Sequence, residues 1–140
     1  MAIRAIAYAS QVVAPMTFDQ VDYIAAGAER FNLLAGVTGV LLFDGQTFVQ
    51  YIEGPEDGLN LAYSRISLSR VHCEIVELGR ATISGRRFPY WSMRLLRTED
   101  AKVRTVARGD WSRFTVRPGT GVPSGIERLS SVVAPYIAAA

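Results

Sequence analysis

The sequence predicts an α+β protein: a ferredoxin-like βαββαββ sheet with two helices on one face, followed by a C-terminal helical tail. Three observations lead to this prediction. Alternating and apolar segments are typical of strands, two patterns with apolar residues at helical spacing separate them, and Gly, Pro and Asp residues mark the turns. Elements in this order form two layers, in which helices cover one side of a sheet.

The composition is that of one globular domain with a small overall charge. Apolar residues make up 49% of the 140 residues, charged residues make up 20%, and the net charge is +2. These values exclude a disordered chain and give no argument for nucleic-acid binding. Cys73 is the only cysteine, which excludes an internal disulfide and a cysteine-rich metal site, and we expect it to be a small buried apolar residue.

Signals for export or membrane insertion are not evident in the sequence. The N-terminus, Met1-Ala-Ile-Arg-Ala-Ile, lacks a charged region followed by a sustained apolar stretch, as a signal peptide would have. No apolar run reaches the roughly 18 residues that a membrane span needs. We therefore expect a cytoplasmic protein that binds neither membranes nor nucleic acid.

The first half of the chain predicts a strand, a helix and a hairpin. Residues 3–10 alternate and predict the first strand. Thr17 and Gln20 have the spacing of a capping box, in which both side chains satisfy free backbone N–H groups at a helix start. Apolar residues behind this box recur at helical spacing, which predicts a helix over 17–32. Asp44-Gly45 predicts a hairpin whose returning strand covers 47–53.

The second half predicts another helix, two strands and the tail. Pro55 and two acidic residues are typical of a helix start, and the apolar face of this helix contains Leu59, Ala62, Tyr63 and Ile66. Extended stretches at 73–78 and 87–93 predict the last two strands. The tail predicts a short helix at 98–108, a brief element around Trp111 and Phe114, a loop at 118–125, and a final helix at 126–140 that Pro135 would interrupt.

Three polar side chains stand out in these apolar elements. In the ferredoxin-like topology the first and third strands are central neighbours, so Tyr8 and Gln50 should lie side by side. Strand alternation places Gln50 on one face with Phe48 and Ile52, and a buried glutamine amide needs hydrogen-bond partners. With Asn32 at the end of the first helix, these groups either satisfy each other or hold something polar and flat between them.

Six patches of sequence, each common by itself, occur together in one order. They are Tyr8-Ala-Ser10, Asn32-Leu-Leu-Ala-Gly-Val-Thr-Gly39, Phe48-Val-Gln50 with Glu53-Gly54, Arg65-Ile66, His72, and Arg87-Phe88 with Trp91-Ser-Met93. In this order they resemble the BLUF domain, a flavin-binding blue-light sensor, over residues 3–95. The resemblance is weaker at Ser69 and Val71, where the family often has an acidic residue and an arginine.

The resemblance implies a flavin site between the two helices. The flavin is expected to be FAD, with FMN or riboflavin as alternatives, and no metal is implied. Asn32 and Gln50 would hydrogen-bond the edge of the ring, Arg65 would reach the ribityl or phosphate region, and His72 would pack near the far end of the ring. The implied cofactor-binding residues are Ile24, Phe31, Asn32, Phe48, Gln50, Ile52, Arg65, Ile66 and His72.

The resemblance also implies photochemistry without substrate turnover. Tyr8 would give an electron and then a proton to the excited flavin, and their return would leave Gln50 rotated or tautomerised, with the absorption shifted slightly to the red. Trp91 and Met93 on the last strand would carry this change outward. The implied photochemical residues are Tyr8, Gln50, Trp91 and Met93.

The implied output is an unknown downstream protein partner, or a homodimer of this chain. We accordingly divide the chain into a photosensor at 1–97 and a C-terminal helical extension at 98–140 that packs on the sheet or mediates dimerisation. Two alternatives stay open. One is a ferredoxin-like enzyme that hydrolyses acyl phosphates, which Arg4 and Gly36-Val-Thr-Gly39 fit poorly, and the other is an interaction or small-molecule-sensing module without a chromophore.

Overall fold

Five strands and four helices make up the part of the chain that the computed structural model describes, residues 2–69, 72–114 and 123–138. In chain order these elements are β1 (Ile3–Val12), α1 (Phe18–Ala35), β2 (Thr38–Phe43), β3 (Thr47–Gly54), α2 (Glu56–Leu68), β4 (His72–Ile83), β5 (Arg94–Arg97), α3 (Asp100–Ala107) and α4 (Gly125–Ala138). The predicted order of strands and helices is confirmed.

The five strands form one mixed sheet in the order β4-β1-β3-β2-β5. The pairs between the first four strands are antiparallel, and β5 runs parallel to β2. The first and third strands are therefore the central neighbours that the topology predicts. Their register places Tyr8 directly opposite Gln50.

The helix α1 begins as the sequence predicts and ends later. The side chain of Thr17 accepts from the backbone N–H of Gln20, and the Gln20 side chain accepts from the backbone N–H of Thr17. The helix continues three residues beyond Asn32 and is capped by Gly36, which has a left-handed φ of 73°. Asn32 consequently lies inside the last turn of α1 and is not the residue that caps the helix. The helical backbone therefore sets the direction of its side chain.

The predicted strand at 87–93 is wrong, because the last strand is β5 at Arg94–Arg97. Residues 87–93 form no regular element. Pro89 cannot donate to a strand ladder, and the backbone N–H groups of Arg87 and Phe88 bond to the side chain of Glu53 instead. Apolar content alone did not distinguish this loop, in which only Phe88 and Met93 are buried, from a strand.

Three further details differ from the prediction. The strand β4 is longer than the predicted 73–78, because it pairs along the full length of β1 up to Ile83. Cys73, which is a small residue that would usually be buried, is exposed on this edge strand. Pro135 does not interrupt α4, which continues to Ala138 around this exposed proline. The predicted loop at 118–125 lies largely outside the described residues.

The sheet separates two hydrophobic cores. The core on one face includes Ile6, Phe48 and Ile52 together with α1 and α2 side chains, and we call it the helix-side core. The core on the other face includes Val49 and Tyr51, and we call it the tail-side core. Side chains from the tail that belong to the tail-side core are Val103, Val106, Trp111, Phe114, Ile126, Leu129 and Val133, with Val132 partly buried against it.

Candidate functional site

A cavity of about 530 Å³ lies between α1, α2 and the helix side of the sheet. This volume is within the range of roughly 300–1,000 Å³ that is typical of sites for small molecules and cofactors. Its apolar walls are provided by both helices and by the central strands. The lining residues are Tyr8, Tyr23, Ile24, Gly27, Ala28, Arg30, Asn32, Leu41, Phe48, Gln50, Ala62, Arg65, Ile66, Leu68, Ser69 and His72.

Tyr8 and Gln50 form the floor of this cavity. They are register partners on β1 and β3, and their exposed fractions are 1% and 5%. Burial raises the pKa of the Tyr8 phenol well above its usual value, and the nearby Tyr63 raises it further. The ring of Tyr63 lies edge-on to that of Tyr8, with 5.8 Å between ring centroids. Tyr8 is therefore a neutral phenol that keeps its proton at physiological pH.

The Gln50 side chain connects the cavity with the residues just before β5. Its Nε2 donates to the Sδ atom of Met93 at 3.6 Å, which is a contact between two buried side chains. A glutamine amide has two N–H donors and an acceptor oxygen, so this contact uses one of several bonding positions. The remaining positions are those that a polar ligand edge or the Tyr8 hydroxyl could engage.

Asn32 makes a second connection to the same segment of chain. The helix α1 places its side chain in the cavity wall, where it is 3% exposed. Its Nδ2 donates to the backbone oxygen of Ser92 at 2.9 Å. Two amide side chains in the cavity wall, at positions 32 and 50, therefore contact the two consecutive residues that precede β5.

His72 is held rigidly at another wall of the cavity. Its Nε2 lies 3.0 Å from the backbone oxygen of Ile66, and its Nδ1 lies 2.7 Å from Oγ of Ser10. Because a carbonyl only accepts, Nε2 carries the proton, and the Ser10 hydroxyl donates to Nδ1. Burial lowers the pKa of His72, although the bond to Ile66 partly opposes this shift. The ring is therefore neutral and fixed in one orientation.

Positive charge is concentrated where α1 and α2 approach each other along the cavity. A methyl group added at Gly27 would lie 3.3 Å from Nη2 of Arg65 and 3.9 Å from Nη2 of Arg30. The Arg65 guanidinium also lies over the Phe31 ring, 5.3 Å from its centroid. Both arginine side chains are exposed. This end of the cavity can attract an anionic group on a ligand.

The structure brings most of the predicted site residues to the cavity, but not all. Of the predicted set, the residues at the cavity are Tyr8, Ile24, Asn32, Phe48, Gln50, Arg65, Ile66 and His72. Phe31 and Ile52 are not among its lining residues; Ile52 is fully buried in the helix-side core. Met93 lies behind Gln50, whereas Trp91 packs against Phe88 with the tail-side core.

Some lining residues were missed by sequence reasoning. Gly27 and Ala28 follow Ile24 at helical spacing, and their small side chains leave the space that forms the cavity. Arg30 lies one turn further along the same helix. The signal available in the sequence was the pair of small residues, Gly27 and Ala28, on an otherwise apolar face of the helix. Arg30, on the following turn, was the available signal for an anionic ligand.

This arrangement fits a flat, mostly apolar ring with a polar edge and an anionic extension. The amides of Asn32 and Gln50 can each donate and accept in one plane, the walls between the helices are apolar, and Arg30 and Arg65 lie at one side. The described residues contain no group of three or more His, Cys, Asp or Glu side chains that could hold a metal ion.

The sequence matches a known protein family, and the fold matches solved structures of similar proteins. Residues 3–94 match the BLUF family, described as sensors of blue-light using FAD. The blue light- and temperature-regulated antirepressor BluF from Escherichia coli (strain K12) is 37% identical over 76 residues, which cover 54% of this chain and 19% of that protein. The dark-state structure of the BLUF protein BlrB matches with a TM-score of 0.69 and 32% identity, over 76% of this chain and 83% of that chain.

Another similar structure extends into the tail. Klebsiella pneumoniae BlrP1, in a complex with manganese and cyclic diGMP, matches 97% of this chain with a TM-score of 0.67 and 29% identity, and the match covers 33% of that chain. The chain thus spans about a fifth of BluF and a third of BlrP1. Within the described residues, no helix has the length and apolar character that would let it cross a membrane.

Proposed function

The chain belongs to the BLUF family, the flavin-binding sensors of blue light, and we propose that Tyr8 and Gln50 are its photochemical pair. One observation carries this proposal. The two side chains are register partners on the central strands, both are buried, and both line the cavity between the helices. The predicted family, fold and flavin cofactor are confirmed by the family match. The roles of individual residues are our proposal.

The proposed flavin position follows from the cavity walls. Asn32 and Gln50 bind the polar edge of the ring, while Ile24, Phe48 and Ile66 contact its apolar surface. Arg65, with Arg30 beside it, binds the ribityl or phosphate group at the positive side of the cavity. His72 forms a neutral wall, because its two ring nitrogens are already bonded to protein groups.

The bound flavin supplies the absorption of blue light and, once excited, the oxidising power for the cycle. With flavin bound, Tyr8 would be the donor of an electron and of its phenolic proton, and Gln50 would provide the hydrogen-bonding path between the phenol and the ring edge. Both the electron and the proton would return to Tyr8, so that no net oxidation remains. The Gln50 amide is left with exchanged hydrogen-bond partners, and its contact with Met93 Sδ changes with it.

We propose that this domain acts on a partner protein or on a second copy of the chain and turns over no substrate itself. The Ser10 hydroxyl that bonds to His72 is buried and is not among the lining residues, so this pair does not present a nucleophile to a ligand in the cavity. The division into a photosensor at 1–97 and an extension at 98–140 is supported by the family match, which ends at residue 94, and by the tail side chains in the tail-side core. A structural change in the photosensor would then be transmitted first to this extension.

The decisive experiment is a light-minus-dark absorption spectrum of the purified chain after expression with ample flavin. We expect a yellow protein whose visible absorption shifts slightly to the red under blue light and returns in the dark. A colourless protein would refute the proposal and favour an interaction module without a chromophore. Measurement of the molar mass in both states then separates a light-dependent homodimer from an action on another protein.

A further inference from the structure

The fully buried carboxylate of Glu53 bonds to four donors on the tail side of the sheet. Its Oε1 accepts from the Tyr51 hydroxyl at 2.9 Å and from the backbone N–H of Arg87 at 2.7 Å. Its Oε2 accepts from the Thr38 hydroxyl at 3.0 Å and from the backbone N–H of Phe88 at 2.7 Å. A buried carboxylate is costly unless its oxygens are satisfied, and here both oxygens are.

These bonds hold the upstream end of a segment that passes from one face of the sheet to the other. We call residues 88–93 the crossing segment. Phe88 belongs to the tail-side core, and Met93 belongs to the helix-side core. Between them, the backbone oxygen of Trp91 accepts from the N–H of Gly39 in β2 at 2.9 Å. The segment therefore contacts both cores and one edge of β2.

The downstream end of the crossing segment is the part that contacts the cavity amides. Ser92 accepts from Asn32, and Met93 accepts from Gln50. The next residue, Arg94, begins β5, which pairs with β2 and leads into α3. A change at Gln50 can therefore displace either β5 or residues 86–88, which we call the upstream loop. Whichever of the two is held more firmly will move less.

The upstream loop has a second attachment beside Glu53. The guanidinium of Arg86 donates to the backbone oxygen of Gly36 at 2.6 Å and to the Thr38 hydroxyl at 2.9 Å. The loop is thus held to the end of α1, to β2 and to β3 within three consecutive residues. Only four residues separate Phe88, the last attached residue, from Met93, so the segment between them has little length with which to absorb a displacement.

We propose that Glu53 is a positioning residue for signal output: its carboxylate fixes the upstream end of the crossing segment, so that rearrangement of Gln50 is passed to β5 instead of being absorbed in the loop. This inference rests on the proposed function of Tyr8 and Gln50. It adds a residue that lies on the opposite face of β3 from the cavity and does not line it.

The test compares Glu53→Gln with the control Tyr51→Phe. Glutamine keeps the size of the side chain but replaces one of the two acceptor oxygens by an N–H₂ group, so one of the two loop N–H groups loses its acceptor. Tyr51→Phe removes a different donor from the same carboxylate and leaves both loop bonds in place. In the dark, hydrogen exchange at the amides of residues 87–88 should accelerate about tenfold in Glu53→Gln and change little in Tyr51→Phe.

The second measurement is the light response. Glu53→Gln should keep the red shift, whereas its light-induced change in hydrogen exchange over 94–107 should fall to roughly half of the wild-type change or less. An unchanged response over 94–107, or loss of the red shift together with the response, would overturn the role of Glu53. If Glu53→Gln does not fold, Glu53→Asp replaces it, because its carboxylate is one methylene shorter and cannot reach both loop N–H groups; an unchanged response there refutes the proposal. A wild-type chain without a red shift would instead refute the proposed function.

Discussion

The side-chain amide of Gln50 contacts the thioether of Met93 across 3.6 Å, between β3 and the residue that precedes β5. Gln50 lines the cavity, and Met93 lies behind it in the helix-side core. Sulfur is a weak, polarizable acceptor, so the amide loses little when it exchanges this contact for a stronger one. The pair therefore combines a side chain that can change partners at small cost with the residue that leads directly into β5.

The first prediction concerns Gln50→Leu. Leucine has similar bulk and no hydrogen-bonding group, so the variant should retain flavin but lose the light-induced red shift. The measurement is the light-minus-dark absorption spectrum. The control is Gln11→Leu, since Gln11 bonds to Thr47 and does not line the cavity. A red shift of normal size in Gln50→Leu would refute the proposed role of this amide.

The second prediction concerns Tyr8→Phe, which removes only the hydroxyl. The buried ring should keep its packing against Tyr63, so flavin should still bind, but no red-shifted state should form because the electron and proton donor is missing. Tyr51→Phe, on the opposite face of the sheet, should keep the red shift. Formation of the red-shifted state with normal yield in Tyr8→Phe would exclude Tyr8 as the donor.

The third prediction is a pH dependence of stability that comes from His72. Burial holds the pKa of His72 below the value of 6.5 expected for the unfolded chain. As the pH falls through 6.5, the unfolded chain takes up a proton that the folded chain does not, so the free energy of unfolding should decrease. Below the pKa of the folded state this contribution levels off.

Urea unfolding of the flavin-free protein between pH 5 and pH 8 measures this effect against His72→Gln. Glutamine can still donate to the backbone oxygen of Ile66, but it does not titrate. The decrease in stability toward low pH should therefore be smaller in the variant. Equal pH dependence of both proteins would show that His72 is not the group responsible.

The fourth prediction concerns the contact between α1 and α2. A methyl group at Gly58 would lie 1.9 Å from the backbone oxygen of Ala35, so Gly58→Ala must force the two helices apart. We expect a loss of about 1–3 kcal/mol in the free energy of unfolding and weaker flavin binding, because the same helices form the cavity walls. Gly85→Ala is the control, since nothing lies within 4 Å of the added methyl group. Equal stability of the two variants would contradict this account.

Local patterns predicted much of the fold correctly. The capping box at Thr17, the Asp44-Gly45 turn and the alternation along 47–53 all depend on neighbouring residues, and the structure contains each of them. The opposition of Tyr8 and Gln50 followed from topology, because the order of elements fixes which strands are adjacent. Their shared position in the cavity could thus be anticipated without coordinates.

The parts that failed depend on contacts between distant residues. The loop at 87–93 reads as a strand because Phe88, Trp91 and Met93 are apolar, but its conformation is set by bonds to Glu53 and Gly39. The extra length of β4 depends on pairing with β1 and on Gly79, where a methyl group would lie 2.2 Å from the backbone oxygen of Trp111.

The alternation along β3 has a consequence for how this protein could change. Positions 48 and 50 line the cavity, while the side chains at positions 49, 51 and 53 lie on the tail side of the sheet. Substitutions in one set leave the side chains of the other set unchanged, so the floor of the cavity and the surface that packs against the tail can be altered separately.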